Sequence, residues 1–113
     1  MSKSKKQNEK LERQVVAEIR STLRSLGWVV WKNHGSAYTE AGLPDLMAVR
    51  RGEFIAIEVK RPGARSRTTQ AQRRWIRRLG REGVLAIVAT SADEVLLAVE
   101  GQGEPESGEQ SDG

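Results

Sequence analysis

The chain has 113 residues, no cysteine, 37% apolar residues and a formal charge of +4; this suffices for one domain with a single core and is too short for two. Without cysteine there is no disulfide framework and no thiolate metal site, and no apolar run reaches the length of a signal segment or a membrane span, so a soluble cytoplasmic protein with no membrane partner is expected. The net charge understates the centre of the chain: the stretch GQGEPESGEQSDG (101–113) holds Glu104, Glu106, Glu109 and Asp112 and no base, which leaves residues 1–100 at +8 and favours a polyanionic partner through phosphate neutralisation and counterion release.

In chain order, MSKSKKQN (1–8) is polar and basic with nothing to bury, and is expected to be a disordered arm. From Glu9 to Leu26 the residues Leu11, Val15, Val16, Ile19, Leu23 and Leu26 recur at helical spacing, and Gly27 stands where the helix would end. WVVWKN (28–33) predicts a short strand and HGSAYTEAG (34–42) a loop. LPDLMAV (43–49) and EFIAIEVK (53–60) predict two strands joined tightly enough to form an antiparallel hairpin. RPGARSR (61–67) is a basic loop, and TTQAQRRWIRRLGRE (68–82) predicts a second helix with Gln72, Trp75, Ile76 and Leu79 turned inward. VLAIVAT (84–90) has the apolar composition of a strand buried on both faces, and SADEVLLAVE (91–100) predicts a last helix with Ser91 as N-cap and Glu94 completing a capping box. The order αβββαβα predicts an α/β fold, a small mixed sheet flanked by helices, over residues 9–100, with 101–113 as a disordered acidic tail.

The hairpin carries charge where a core strand is normally apolar. Strand side chains alternate faces, so Glu58 and Lys60 share one side and Ile57 and Val59 the other. Asp45 lies near the start of one strand and Glu58 near the end of its antiparallel neighbour, which brings the two carboxylates side by side. Such a pair repels unless a cation neutralises it, and paired hard oxygen ligands suit Mg²⁺, with Mn²⁺ as a substitute, leaving coordination sites to water and phosphate. Lys60 beside that cation could orient a water or stabilise charge on phosphorus. Taken alone, Glu58 and Lys60 are better explained as an ordinary ion pair on a solvated face; the combination with Pro44-Asp45 and the surrounding arginines is what favours a site.

Arginine is the next signal. Between Arg50 and Arg81 stand Arg50, Arg51, Lys60, Arg61, Arg65, Arg67, Arg73, Arg74, Arg77, Arg78 and Arg81, against only Glu53 and Glu58. Guanidinium forks suit phosphate oxygens, and the loop 61–67 leaves the acid-bearing strand directly, which makes Arg61, Arg65 and Arg67 candidates for holding a backbone, with Arg73 and Lys32 beside them. The helix arginines lie mainly off the Trp75-Ile76-Leu79 stripe, and a solvated face explains them better than a phosphate contact does. No helix-turn-helix or zinc module offers base readout, so backbone and shape are the expected determinants.

Pro44-Asp45 followed by Glu58-Val59-Lys60 resembles the PD-(D/E)xK nuclease signature, and the ordered set of segments resembles its VRR-NUC branch. The matching features are a helix ending in Gly-Trp and a strand, G-L-P-D-L (42–46), I-E-V-K (57–60), S-R-T-T-Q-A-Q-R-R-W-I-R-R-L (66–79) and a G-V-L-A-I-V strand (83–88), together most of residues 9–95. The branch occurs in stand-alone phage proteins and at the C-terminus of the Fanconi-associated nuclease. The resemblance implies a restriction-endonuclease-like core, a divalent metal held by Asp45, Glu58 and the Val59 carbonyl, and Lys60 as catalytic lysine. It implies hydrolysis of DNA phosphodiesters, with branched structures such as Holliday junctions or flaps as substrates, in a bacterial or phage-infected cell. It also implies an acid from the first helix and a glutamine from the second. Of Glu9, Glu12 and Glu18, Glu12 sits at the centre of the apolar stripe on a helical wheel and takes the first role, as catalytic residue and metal ligand, although a helix-start carboxylate facing the dipole explains it as well; Gln72 takes the second. Thr69-x-x-Gln72 is also a capping box, which would account for Gln72 without a site. Relatives often carry a helix-starting proline where this chain has Gln70. A homodimer is expected, with Trp31 facing the partner subunit. The competing expectation is a DNA-binding module of the same fold that does not cut.

Overall fold

The middle of the first helix folds as the wheel predicts, with Val15, Val16, Ile19 and Leu23 buried along one side of α1 (Glu12–Ser25), whereas Leu11 and Leu26 at its two ends, expected on the same stripe, are exposed. The computed structural model describes residues 10–35 and 40–103, so the expected arm at 1–8, the loop centre 36–39 and the acidic residues 104–113 lie outside the described part. After α1 come β1 (Val29–Lys32), β2 (Leu46–Arg50), β3 (Glu53–Val59), a 3₁₀ turn (Arg65–Arg67), α2 (Gln70–Arg81), β4 (Leu85–Ala89) and α3 (Ala92–Gly103). The expected αβββαβα order therefore holds. The last helix runs three residues into the stretch assigned to the tail.

The sheet order is β1-β2-β3-β4, antiparallel for the first two pairings and parallel for β3 with β4. The β2–β3 hairpin closes through Arg51 and Gly52, whose φ values of 53° and 83° are both positive, as a type I′ turn requires. The register pairs Leu46 with Ile57 and Ala48 with Ile55. Those side chains, with Val30 and Val59, form one face of the sheet and pack with Val15, Ile19 and Leu23 of α1 and Val95 of α3 into the core.

The opposite face is only half covered. α2 lies along β3 and β4, where Ala56 and Glu58 are buried. Beyond it, Val29 and Trp31 of β1 are 63% and 39% exposed and Phe54, at the start of β3, is 43% exposed; Trp31 and Phe54 meet edge to face with ring centroids 6.2 Å apart. One expectation fails here: β4 is not buried on both faces. It is an edge strand whose residues are mostly half-buried, with only Ala89 fully covered. An apolar run specifies a dry environment but not a central place in the sheet.

The last helix starts as expected with one difference. Ser91 Oγ accepts from Glu94 N at 3.2 Å, but the Glu94 carboxylate reaches one residue further back and accepts from Thr90 N at 2.6 Å. Its second oxygen pairs with Arg65. Burial opposes ionisation there, yet the Thr90 amide and the Arg65 guanidinium together hold the Glu94 carboxyl below its ordinary range.

Candidate active site

The strand ends bring the two acids together. Because Leu46 faces Ile57, Asp45 and Glu58 are the next residues in register, on the face opposite the core. Asp45 is held by three bonds: its Oδ2 accepts from Val59 N at 2.7 Å, its carbonyl accepts from Asn33 N at 2.8 Å, and the preceding Pro44 carbonyl accepts from Asn33 Nδ2 at 2.8 Å. Asn33 thus ties the end of β1 to the Pro44-Asp45 peptide, a positioning role that sequence reasoning missed.

Glu58 is 2% exposed. Its Oε2 accepts from Gln72 Nε2 at 2.8 Å and lies 3.5 Å from Lys60 Nζ. Its Oε1 is buried with no hydrogen-bond partner. Burial first, and then the neighbouring Asp45 charge, push the Glu58 carboxyl up to about 8, against a smaller opposing pull from Lys60. A buried carboxylate oxygen left without a donor is costly unless a cation or proton meets it.

Gln72 does two jobs with one amide. Its Oε1 accepts from Thr69 N at 2.8 Å while Thr69 Oγ1 accepts from Gln72 N at 3.1 Å, which completes the capping box of α2. The other end of the amide is the donor to Glu58. The helix start is thereby locked to the acid. Gly42 brings the loop against the same place: at φ 87°, a Cβ there would lie 2.5 Å from the Ala71 carbonyl carbon and 2.8 Å from Gln72 N. Only glycine permits that approach. Beside it, Asn33, His34, Glu40, Gly42 and Asp45 line a cleft of about 330 Å³.

Not every candidate joins the pair. Glu12 was expected to look inward and is exposed; it lies on the apolar side of the wheel but starts the helix, one turn before Val15 and Val16 meet the sheet. Among the described residues no three acidic or histidine side chains converge as a metal cluster, so Glu12 is not brought to Asp45 and Glu58. Lys32 pairs with Leu46 and therefore lies on the core side of the sheet, away from Asp45. Arg65 is engaged structurally, donating to the Val88 carbonyl at 2.7 Å and pairing with Glu94. Arg73 donates to the Thr68 carbonyl. Arg61 and Arg67 are exposed on the loop after Lys60 and make no ion pair among the described residues.

A mixed sheet whose second and third strands set an aspartate beside a Glu-x-Lys is the arrangement of the PD-(D/E)xK nuclease superfamily. Within it, the VRR-NUC domain model matches residues 2–93, and the chain belongs to that family. A solved structure described as a VRR_NUC domain protein is similar at 31% identity with a TM-score of 0.52, over 64% of this chain and 65% of that one, so the likeness covers just under two thirds of the neighbour's length. No curated protein matches. Among the described residues no helix is long and apolar enough to cross a membrane.

Proposed function

We propose that the protein is a metal-dependent DNA endonuclease whose active site is Asp45, Glu58 and Lys60. The observation that carries this is the Glu58 carboxylate: buried, held on Oε2 by Gln72 and Lys60, and left with an orphaned Oε1 beside a second acid. That donor set fits Mg²⁺ or Mn²⁺, which takes one or two carboxylates and leaves its other positions to water and phosphate. Asp45, Glu58 and the Val59 carbonyl would hold the ion. When bound, it supplies Lewis-acid polarisation of the phosphate and a lowered pKa for a coordinated water.

The chain's own groups do the rest. Asn33 and Val59 N fix Asp45, so its carboxylate needs no reorganisation when a cation binds. Lys60, 12% exposed and 3.5 Å from Glu58, keeps a compact positive charge at the strand end, where it orients the attacking water or meets charge developing on phosphorus. Arg61 and Arg67, on the loop leaving Lys60, grip the flanking phosphates.

Structure selectivity on branched DNA and a two-fold assembly belong to the same proposal. The uncovered sheet face of Val29, Trp31 and Phe54 supports a homodimer, which would set two sites on two strands. A panel of labelled linear duplex, single strand, flap and four-way junction, with Mg²⁺ or EDTA, tests the reading. Metal-dependent cutting of the branched members, lost in Lys60→Ala with binding retained, is expected. Tight binding across the panel with no cutting in Mg²⁺ or Mn²⁺ would replace the enzyme with a non-catalytic DNA-binding module.

A further inference from the structure

We propose that the outward face of α2 is a second phosphate-binding track, which holds the backbone of a duplex arm extending from the cut site; this rests on the DNA-cleavage reading above. α2 carries Arg73, Arg74, Arg77, Arg78 and Arg81 and no acid. At 100° per residue the five fall within an arc of about 140°, opposite Gln72, Trp75 and Leu79. All five are exposed. Among the described residues, Arg74, Arg77 and Arg81 make no ion pair. The Arg78 guanidinium lies over the Trp75 ring, 4.7 Å from its centroid, within cation–π reach.

The start of this track is fixed at the active site. Gln72, in the first turn of α2, donates to Glu58, and from Arg73 to Arg81 the helix carries its rungs away from that contact over about 12 Å. The arginine row lies on the side of α2 away from Gln72, so it is a duplex arm lying across the helix, and not the strand held at Asp45 and Glu58, that would meet these guanidinium groups. A face kept only for solubility is better served by mixed signs. Here Arg73 with Arg77, Arg77 with Arg81 and Arg74 with Arg78 are like-charged i,i+4 pairs, which weaken a helix. That internal repulsion is relieved by a polyanion. Duplex backbone has the required charge density, with one phosphate per about 1.7 Å of axis, and needs no base readout to be held.

The test is the triple variant Arg74→Gln, Arg77→Gln, Arg81→Gln in the full chain, measured for affinity against salt on a long duplex and for Mg²⁺-dependent hydrolysis of a small aryl phosphodiester. The track predicts that the slope of log K against log salt shrinks by about two to three, near 0.9 per lost phosphate contact. Small-substrate hydrolysis should persist and the melting temperature should not fall, since the like-charge pairs are gone. An unchanged slope with wild-type hydrolysis intact overturns the track alone, and so does an equal loss in a control triple at exposed Arg13, Arg24 and Arg51. A wild-type protein that hydrolyses neither substrate and binds duplex without salt dependence overturns the nuclease reading and the track with it.

Discussion

Glu58 is the carboxyl that its surroundings perturb most among the described residues. Its folded pKa of about 8 stands above the ordinary 4.5, so between these values the folded protein holds a proton that the unfolded chain releases. The metal-free protein should be fully stabilised by this group below about pH 4.5 and lose that contribution as pH rises through 8. Melting curves in EDTA should fall across that window and flatten in Glu58→Gln. Mg²⁺ should raise the melting temperature more at pH 8 than at pH 6, because it competes with the proton for the same oxygen; a metal-induced shift independent of pH would contradict the assignment. Gln72 and Thr69 separate capping from chemistry. Thr69→Ala removes the cap alone and should cost about 1 kcal/mol with cleavage largely kept, whereas Gln72→Leu also strips the donor from Glu58 and should slow cleavage about 10–100-fold. Denaturant titration beside single-turnover rates checks the pair; equal rate losses at equal stability loss would reduce Gln72 to a cap. Gly42→Ala should destabilise by about 2–4 kcal/mol, since its Cβ meets backbone rather than a movable side chain, at a positive φ.

The β2–β3 hairpin is the element that builds the site, and it was legible because strand periodicity leaves no freedom: a two-residue turn fixes the register, and the register places Asp45 beside Glu58. Its turn carries a correctable cost. Arg51 holds φ at 53° without being glycine, and Arg51→Asn should stabilise by up to about 1 kcal/mol, read as a higher denaturant midpoint at unchanged slope. The capping box at Thr69 and Gln72 was equally visible, since both partners lie within one helical turn. Other features left no local trace. Arg65 and Glu94 are 29 residues apart, and nothing in RPGARSR distinguishes the arginine that clamps α3 from Arg67, which makes no ion pair among the described residues. Glu12 shows the limit of a wheel: it gives the direction around a helix axis, while cover depends on where along the axis the sheet begins. Asn33 works through its own backbone and amide on a loop eleven residues away, a contact made only by the sheet.

At the scale of the molecule, the sequence pattern gave the layers but not their coverage. A continuous apolar run such as Trp28-Val29-Val30-Trp31 specifies a strand without saying which of its faces is covered, and the face of Val29, Trp31 and Phe54 is open while α2 lies over β4 and the Glu58 end of β3. If that face joins two copies, Trp31→Glu with Phe54→Glu should yield a monomer by sedimentation equilibrium while the hairpin still folds; an unchanged mass would place the dimer contact elsewhere or remove it. The proposed chemistry of Asp45 and Glu58 does not depend on the assembly. The most direct test is single-turnover cleavage of end-labelled DNA in Mg²⁺ by wild type and by Glu58→Gln, which keeps the size of the side chain and removes its charge. Cleavage that needs the metal and falls by three orders of magnitude or more in the variant, roughly 4 kcal/mol of transition-state stabilisation, is the predicted result. Cleavage at the wild-type rate in Glu58→Gln, or undiminished in EDTA, would contradict it.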